Sequence, residues 1–243
     1  QGEIHLRLAA DKLDHRFRLR LETRKARVPY PEPIRKAMAS RGRHKRQSGG
    51  HGQYGDCLLQ IAPLPRGEGF AFQDRIKGGV VPKQWIPSVE KGVLDYLRAG
   101  PLGFPVVDVT VALTDGSFHS VDSSDAAFQT AGRLAMSEGM PACAPVLLEP
   151  VMRLAIHVPS DATAKVNGVI GGRRGVPLGF EAREGWRGWD TVRAELPLSE
   201  TGDLIMELRS LTQGLGTYEM VFDRLAELNG KLADQVVLAR KAA

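Results

Sequence analysis

The sequence predicts an α+β protein assembled from several small units. Three observations predict it: period-two apolar runs alternate with helical ones, a proline-rich break "VPYPEP" spans residues 28–33, and the pattern after residue 146 runs β-α-β-β-α-β. With 243 residues, 42% of them hydrophobic, the chain can bury more than one core. Residues 1–28 open with alternation at Ile4, Leu6 and Leu8, continue as a helix with Leu13 and Phe17 four apart, and alternate again at Leu19 and Leu21. That is half of a β-α-β unit without upstream partner strands, so the chain reads as part of something longer. The prolines then remove amide donors and restrict the residues before them, which places a boundary there.

Residues 29–145 form the next unit. A basic, glycine-rich stretch, "RGRHKRQSGGHGQYG" at 41–55, precedes two strands, "DCLLQIAPL" and "GFAFQDRI". "PSVEKGVLDYLRAGP" is a helix with Ser88 as N-cap, Val89, Val93, Leu94 and Leu97 on one face, and Gly100-Pro101 as its stop. "FPVVDVTVALTDGS" is a β-branched strand closed by an Asp-Gly turn, and "DSSDAAFQTAGRLAMSEGM" is a helix with an acidic first turn.

Residues 146–229 give the plait order: strand "PVLLEPVMRLAIHVP", a helix capped near Ser160 or Asp161 and ending in glycines, two strands around "FEAREGWRGWDTVRAELPL", a helix with Ser199 as N-cap, and strand "TYEMVFDRL". Residues 230–243 carry Leu232, Val236, Val237 and Ala239, a short helix expected to pack back on a preceding domain.

The net charge of +5 is concentrated: from Pro33 to Gly55 stand six Lys/Arg (Arg35, Lys36, Arg41, Arg43, Lys45, Arg46) and no acid, so the remainder is close to neutral. Such a patch favours a polyanion, nucleic acid first, or else is a solvated basic linker. No apolar run is long enough for a membrane helix, and the charged start is no signal core. Cys57 and Cys143 lie far apart in sequence with no metal-ligand spacing, and read as reduced, apolar residues of a cytoplasmic protein. The six histidines show no HxxxH or HExxH pattern.

A GxxxxGK[ST] loop is missing, and "GVIGGRRG" lacks the spacing of a dinucleotide loop. Its Arg173 and Arg174 are either part of a helix stop or a small RNA-phosphate contact. Ser123 and His119, beside Asp122 and Asp125, sketch a hydrolase triad, but Ser and Asp at a helix start usually cap amides and no GxSxG is present. No catalytic or metal-binding residue is therefore assigned.

At "KRQSGGHGQYG", "IKGGVVPKQWIPSVEKGV", "AGPLGFPVVDV", "GSFHSVDSSDAAF" and "PVLLEPVMRLAI" the chain resembles bacterial elongation factor G, the translational GTPase that drives translocation. The resemblance implies the second half of a domain III-like plait at 1–28, an elongated S5-like β-α-β domain of the domain IV type at 29–145, with helix 230–243 returning to it, and a ferredoxin-like domain V at 146–229. It implies that GTP and Mg2+ belong to domains this chain lacks, that no cofactor is held here, and that a cytoplasmic monomer meets the ribosome, ribosomal RNA, transfer RNA and messenger RNA at the decoding centre. The family's tip loops match Gln47, Ser48, Gly49, Gly50, His51, Gln53 and Tyr54, and the turn around His119. Ser120 stands where the family usually has Asp, and Gly172-Arg173-Arg174-Gly175 replaces its usual arginine run. The main reading is the translocating factor; both departures leave open a diverged paralogue, acting in ribosome recycling or protection, and a stand-alone RNA-binding module is a further alternative.

The residues support an RNA tip on their own terms. Gly49, Gly50, Gly52 and Gly55 permit close approach and positive φ, Gln53 can bond base edges, and Tyr54 can stack. Arg43, Lys45 and Arg46 can hold phosphates, as a basic shaft below the tip. His119 is either a donor or stacking group at the same tip or an exposed turn histidine.

Overall fold

The computed structural model describes residues 3–19, 21, 27–47 and 52–242. Its first element corrects an expectation: Glu3–Phe17 is one helix, α1, with no strand at Leu6 and Leu8. Leu6, Ala10, Leu13 and Phe17 recur three or four apart among good helix formers, and among the described residues no strand pairs with this segment. Leu19 and Leu21 lie in no strand, and residues 20 and 22–26 are outside the described residues.

Two four-stranded sheets follow. The first is ordered β1-β2-β4-β3, from β1 (Met38–Arg46), β2 (Gln53–Pro63), β3 (Phe70–Asp74) and β4 (Val109–Ser117). β1 and β4 run antiparallel to β2, and β3 is parallel to β4, so α2 (Ile86–Leu97) is the crossover of a β-α-β unit. α3 (Asp125–Gly139) packs with α2, β1 and β2. Cys57, Leu59 and Ile61 of β2, Val111 and Leu113 of β4, and Phe128 and Met136 of α3 are fully buried in one cluster. At roughly 1.5–3 kcal/mol for each large side chain, this cluster is what holds α3 to the sheet.

The second sheet, ordered β6-β7-β5-β8, is wholly antiparallel: β5 (Leu147–Pro159), β6 (Val176–Ala182), β7 (Trp189–Pro197) and β8 (Thr217–Leu228). α4 (Thr163–Gly172) and α5 (Leu204–Leu211) cover one face over Leu154, Ile156, Val192, Ala194 and Leu196, the arrangement of a ferredoxin-like plait. α6 (Lys231–Lys241) joins the two sheets: its Ala233, Val236 and Val237 pack with Tyr30, Leu102, Phe104, Leu147 and Leu228. Arg240 adds a hydrogen bond from Nε to the Gly103 carbonyl at 3.0 Å and lies over the Phe104 ring.

Several local expectations change. The basic run is strand β1, although it shows no apolar alternation. Asp115-Gly116 is no turn but a continuation of β4, past a bulge opposite Leu58 and Leu59. Ser88 does not cap α2; its hydroxyl donates to Asp125 Oδ1 at 2.6 Å, tying α2 to α3. Ser160 donates to Asp190 at 2.9 Å, and Ser199 accepts from Arg174 at 2.9 Å, so neither caps a helix. These three serines tie elements together, a tertiary role that spacing along the chain does not reveal, whereas Ser124 caps α3 by accepting from the Ala127 amide.

Candidate nucleic-acid interface

The β1–β2 hairpin sets the basic residues in register. Arg41, Arg43 and Lys45 lie opposite Leu58, Asp56 and Tyr54, and alternation puts all three cations on one face. Asp56 anchors that face. Its fully buried carboxylate accepts from Arg41 Nε at 2.8 Å and Nη2 at 2.7 Å, from Ser117 Oγ at 2.7 Å, and from Arg43 at 3.4 Å. Burial alone would raise its pKa, but the bonds from Arg41, Ser117 and Arg43 prevail and hold it at about 2. Tyr54 extends the chain, its hydroxyl 2.7 Å from Ser117 Oγ. Lys45 and Arg46 are exposed and make no ion pair among the described residues, so they are the cations most available to phosphate.

The end of the hairpin is stapled to the turn between β4 and α3. Tyr54 N donates to the Asp122 carbonyl at 2.8 Å, Gly52 N donates to Asp122 Oδ1 at 3.0 Å, and Ser123 Oγ donates to the Tyr54 carbonyl at 2.9 Å. Ser123 Oγ also accepts from His119 N at 2.9 Å, and His119 Nδ1 faces the Asp122 amide at 3.3 Å. Gly52 and Gly55 are required by close approach and have no positive φ: a Cβ on Gly52 would meet the Asp122 carboxylate at 2.8 Å, and one on Gly55 the Ala127 carbonyl at 2.6 Å. His119, Phe118 and Val121 are exposed on this turn, with Phe118 supported by Trp85 at 5.6 Å between ring centroids. Gln53 is exposed beside them and hydrogen-bonded to His44 Nε2 at 2.8 Å.

The structure thus brings Gln53, Tyr54 and His119, distant in sequence, to one end of the unit. Gln47 is exposed at the end of β1, and Ser48, Gly49, Gly50 and His51 lie outside the described residues. Two expectations are redirected. Arg173 is bonded to Asp203 at 2.5 Å, Glu207 at 2.5 Å and the Glu200 carbonyl at 2.8 Å. Arg174 grips Glu149 at 2.8 and 3.1 Å and Glu200 at 2.9 Å. Both guanidiniums are committed to carboxylates within the plait, which leaves the RNA-phosphate reading of them without support from the geometry. The Ser123 hydroxyl likewise donates to a backbone carbonyl and does not meet the His119 ring, unlike a nucleophile–base pair. Of the two carboxylates that organise the site, sequence reading missed Asp56, for which a lone acid just after six cations was the available signal, and took Asp122 only as a neighbour of His119.

The family model for elongation factor G, domain IV, matches residues 26–144, and that for the elongation factor G C-terminus matches residues 146–236. An elongation factor G-like protein of Synechocystis sp. is 52% identical over 233 residues, covering 96% of this chain and 35% of that protein. Elongation factor G of Aquifex pyrophilus is 44% identical over 242 residues, covering 99% of this chain and 34% of that protein. A crystal structure of a Thermus thermophilus protein superposes with a TM-score of 0.82 at 38% identity, covering 100% of this chain and 36% of that one. The chain therefore spans about a third of the length of these relatives. No helix among the described residues is long and apolar enough to cross a membrane.

Proposed function

The chain belongs to the elongation factor G family, and we propose that it is the RNA-contacting portion of a translational GTPase that moves transfer RNA and messenger RNA through the ribosome. The observation that carries this reading is the staple between Gly52–Tyr54 and the His119 turn, which presents Gln53, His119 and Phe118 together above a row of cations. Lys45 and Arg46 supply salt-sensitive affinity, while the tip contacts position the unit against bases or sugar edges. GTP and its Mg2+ are bound by parts of the parent protein outside these residues, and this portion, working as a cytoplasmic monomer, occupies the decoding site and blocks backward slippage.

In the full-length parent, changing both Gln53 and His119 to Ala is expected to slow translocation on the order of tenfold, equivalent to about 1.4 kcal/mol, with GTP turnover near normal. Unchanged translocation would remove the tip from the mechanism. The name and higher identity of the Synechocystis relative, an elongation factor G-like protein, support a second reading as a paralogue of the translocating factor, for which ribosome recycling or protection is the alternative role. Complementation of elongation factor G depletion separates the two: rescue selects the translocase, failure the paralogue.

A further inference from the structure

Two of the three tryptophans of the chain stand at one tight turn between β6 and β7 of the plait, Trp186 within residues 183–188 and Trp189 directly after them. The turn is well held. Arg183 N donates to the Trp189 carbonyl at 2.8 Å, Trp186 N to the Arg183 carbonyl at 3.1 Å, and Trp189 N to the Trp186 carbonyl at 3.2 Å. Ser160 N donates to the Gly188 carbonyl at 3.0 Å and ties the turn to the end of β5. Gly185 and Gly188 take φ values of 74° and 79°, the left-handed region such a turn needs.

On this frame the two indoles meet edge to face at 5.2 Å, and the Arg183 guanidinium lies 4.3 Å from the Trp186 centroid and 5.9 Å from that of Trp189. Trp186 nevertheless remains 50% exposed. Arg187 lines a shallow groove together with Arg183, Trp186 and Trp189 and makes no hydrogen bond or ion pair among the described residues. Neighbouring acids are engaged elsewhere: Asp190 accepts from Ser160 and Thr163, and Glu181 pairs with Arg193 at 2.7 Å, which leaves Glu184 against two arginines. A fixed, half-exposed indole backed by a guanidinium and flanked by a free cation matches a ligand that combines a π-face with a phosphate.

We propose that the 183–188 turn is a second RNA-binding site, which takes an unpaired nucleotide by stacking its base on Trp186 and holding its phosphate with Arg187. A duplex fits poorly, because its bases are already stacked and only its phosphates are offered. The site lies in the other sheet unit from the hairpin tip and does not rest on the reading of that tip.

The test uses the 243-residue chain carrying Trp85→Phe, so that indole fluorescence reports Trp186 and Trp189. A short single-stranded oligoadenylate is expected to quench it, with a blunt RNA duplex of the same length giving little quenching. Trp186→Ala should weaken oligoadenylate binding about tenfold, within the range of base–aromatic stacking. Arg187→Ala, a change at an exposed side chain that leaves the indole in place, should lower the slope of log K against log salt by about 0.7. Changing Gln53 and His119 to Ala should leave the quenching intact. Affinity and salt slope unchanged in both turn variants, duplex quenching equal to that of the single strand, or quenching lost only with the Gln53 and His119 changes would each overturn the proposal.

Discussion

Replacing Gly42 with alanine is expected to destabilise the first sheet by about 3 kcal/mol, at the upper end of the usual cost of overpacking. A Cβ built on Gly42 falls 2.0 Å from the Ala131 carbonyl oxygen and 2.5 Å from the Ala135 amide nitrogen. Both are backbone atoms of α3, so no rotamer change relieves the clash and the helix must retreat. That retreat would pull Phe128 and Met136, both fully buried, away from β2 and would disturb the stack of Phe128 on Trp85 at 5.1 Å. Gly168→Ala serves as the contrast. Gly168 is exposed within α4, a Cβ there meets nothing within 4 Å, and the substitution should be neutral or stabilise by up to about 1 kcal/mol. Urea unfolding of both variants checks the pair, and equal midpoints would refute the contact between β1 and α3.

Glu32→Gln is expected to remove a stability loss of roughly 3 kcal/mol that the parent chain suffers between about pH 4.5 and pH 7. Glu32 is fully buried where the proline-rich segment crosses the loop before β4, and its carboxylate accepts from the Leu102 and Phe104 amides at 3.1–3.2 Å. Burial raises its pKa to about 7, because the two amides compensate only part of the lost hydration. The folded chain therefore holds this proton more tightly than the unfolded chain, whose value is 4.5. The stabilisation is complete below that value and is lost as pH rises through about 7. Glutamine keeps a carbonyl acceptor for the amides and cannot ionise, so at about pH 8 the variant should be the more stable by up to about 3 kcal/mol. His157 works in the opposite sense: burial first, then Arg183 and Arg193, lower its pKa, and stability from its neutral ring is lost as pH falls. The informative quantity is thus the difference between the two proteins in urea unfolding at about pH 5, 6.5 and 8. Parallel curves would show that Glu32 does not carry the pH dependence. The same loop holds Gly103 and Phe104 against α6, so ionisation of Glu32 acts at the joint between the two sheets.

The plait was legible because β5, β7 and the helices over them bury regular apolar positions, and their order along the chain admits few topologies. Helices α2 and α3 were legible for the same reason, although Leu94, read onto the inner face of α2, is exposed, and the cap of α3, Ser124, whose hydroxyl accepts from the Ala127 amide, was not singled out. β1 was not legible as a strand. Its outward positions are Arg41, Arg43 and Lys45, and its inward position Gly42 faces backbone, so neither face carries an apolar signature. What makes it a strand is pairing with β2 and the buried Asp56, both contacts across the hairpin. The tip was legible as glycine plus charge, but the carboxylate of Asp122, seventy positions from Gly52, is what joins it to the His119 turn. Of the two readings of Arg173 and Arg174, the helix stop is seen, with Arg173 as the C-cap of α4, while local composition could not show that Glu149, Glu200 and Glu207 converge on them in space.

Entry of the stapled tip into the decoding site is tested most directly by hydroxyl-radical cleavage of RNA from an iron chelate tethered at Ser120→Cys in the full-length parent on translocating ribosomes. Within this chain the tether is selective, since Cys57 and Cys143 are fully buried and burial pushes the Cys57 thiol up to about 12. Cleavage is predicted in small-subunit RNA around the decoding site and in the moving transfer RNA, and it should be absent there from a chelate at Gly202→Cys, exposed on the plait. No decoding-site cleavage from position 120, or equal cleavage from both positions, would contradict that placement of the tip.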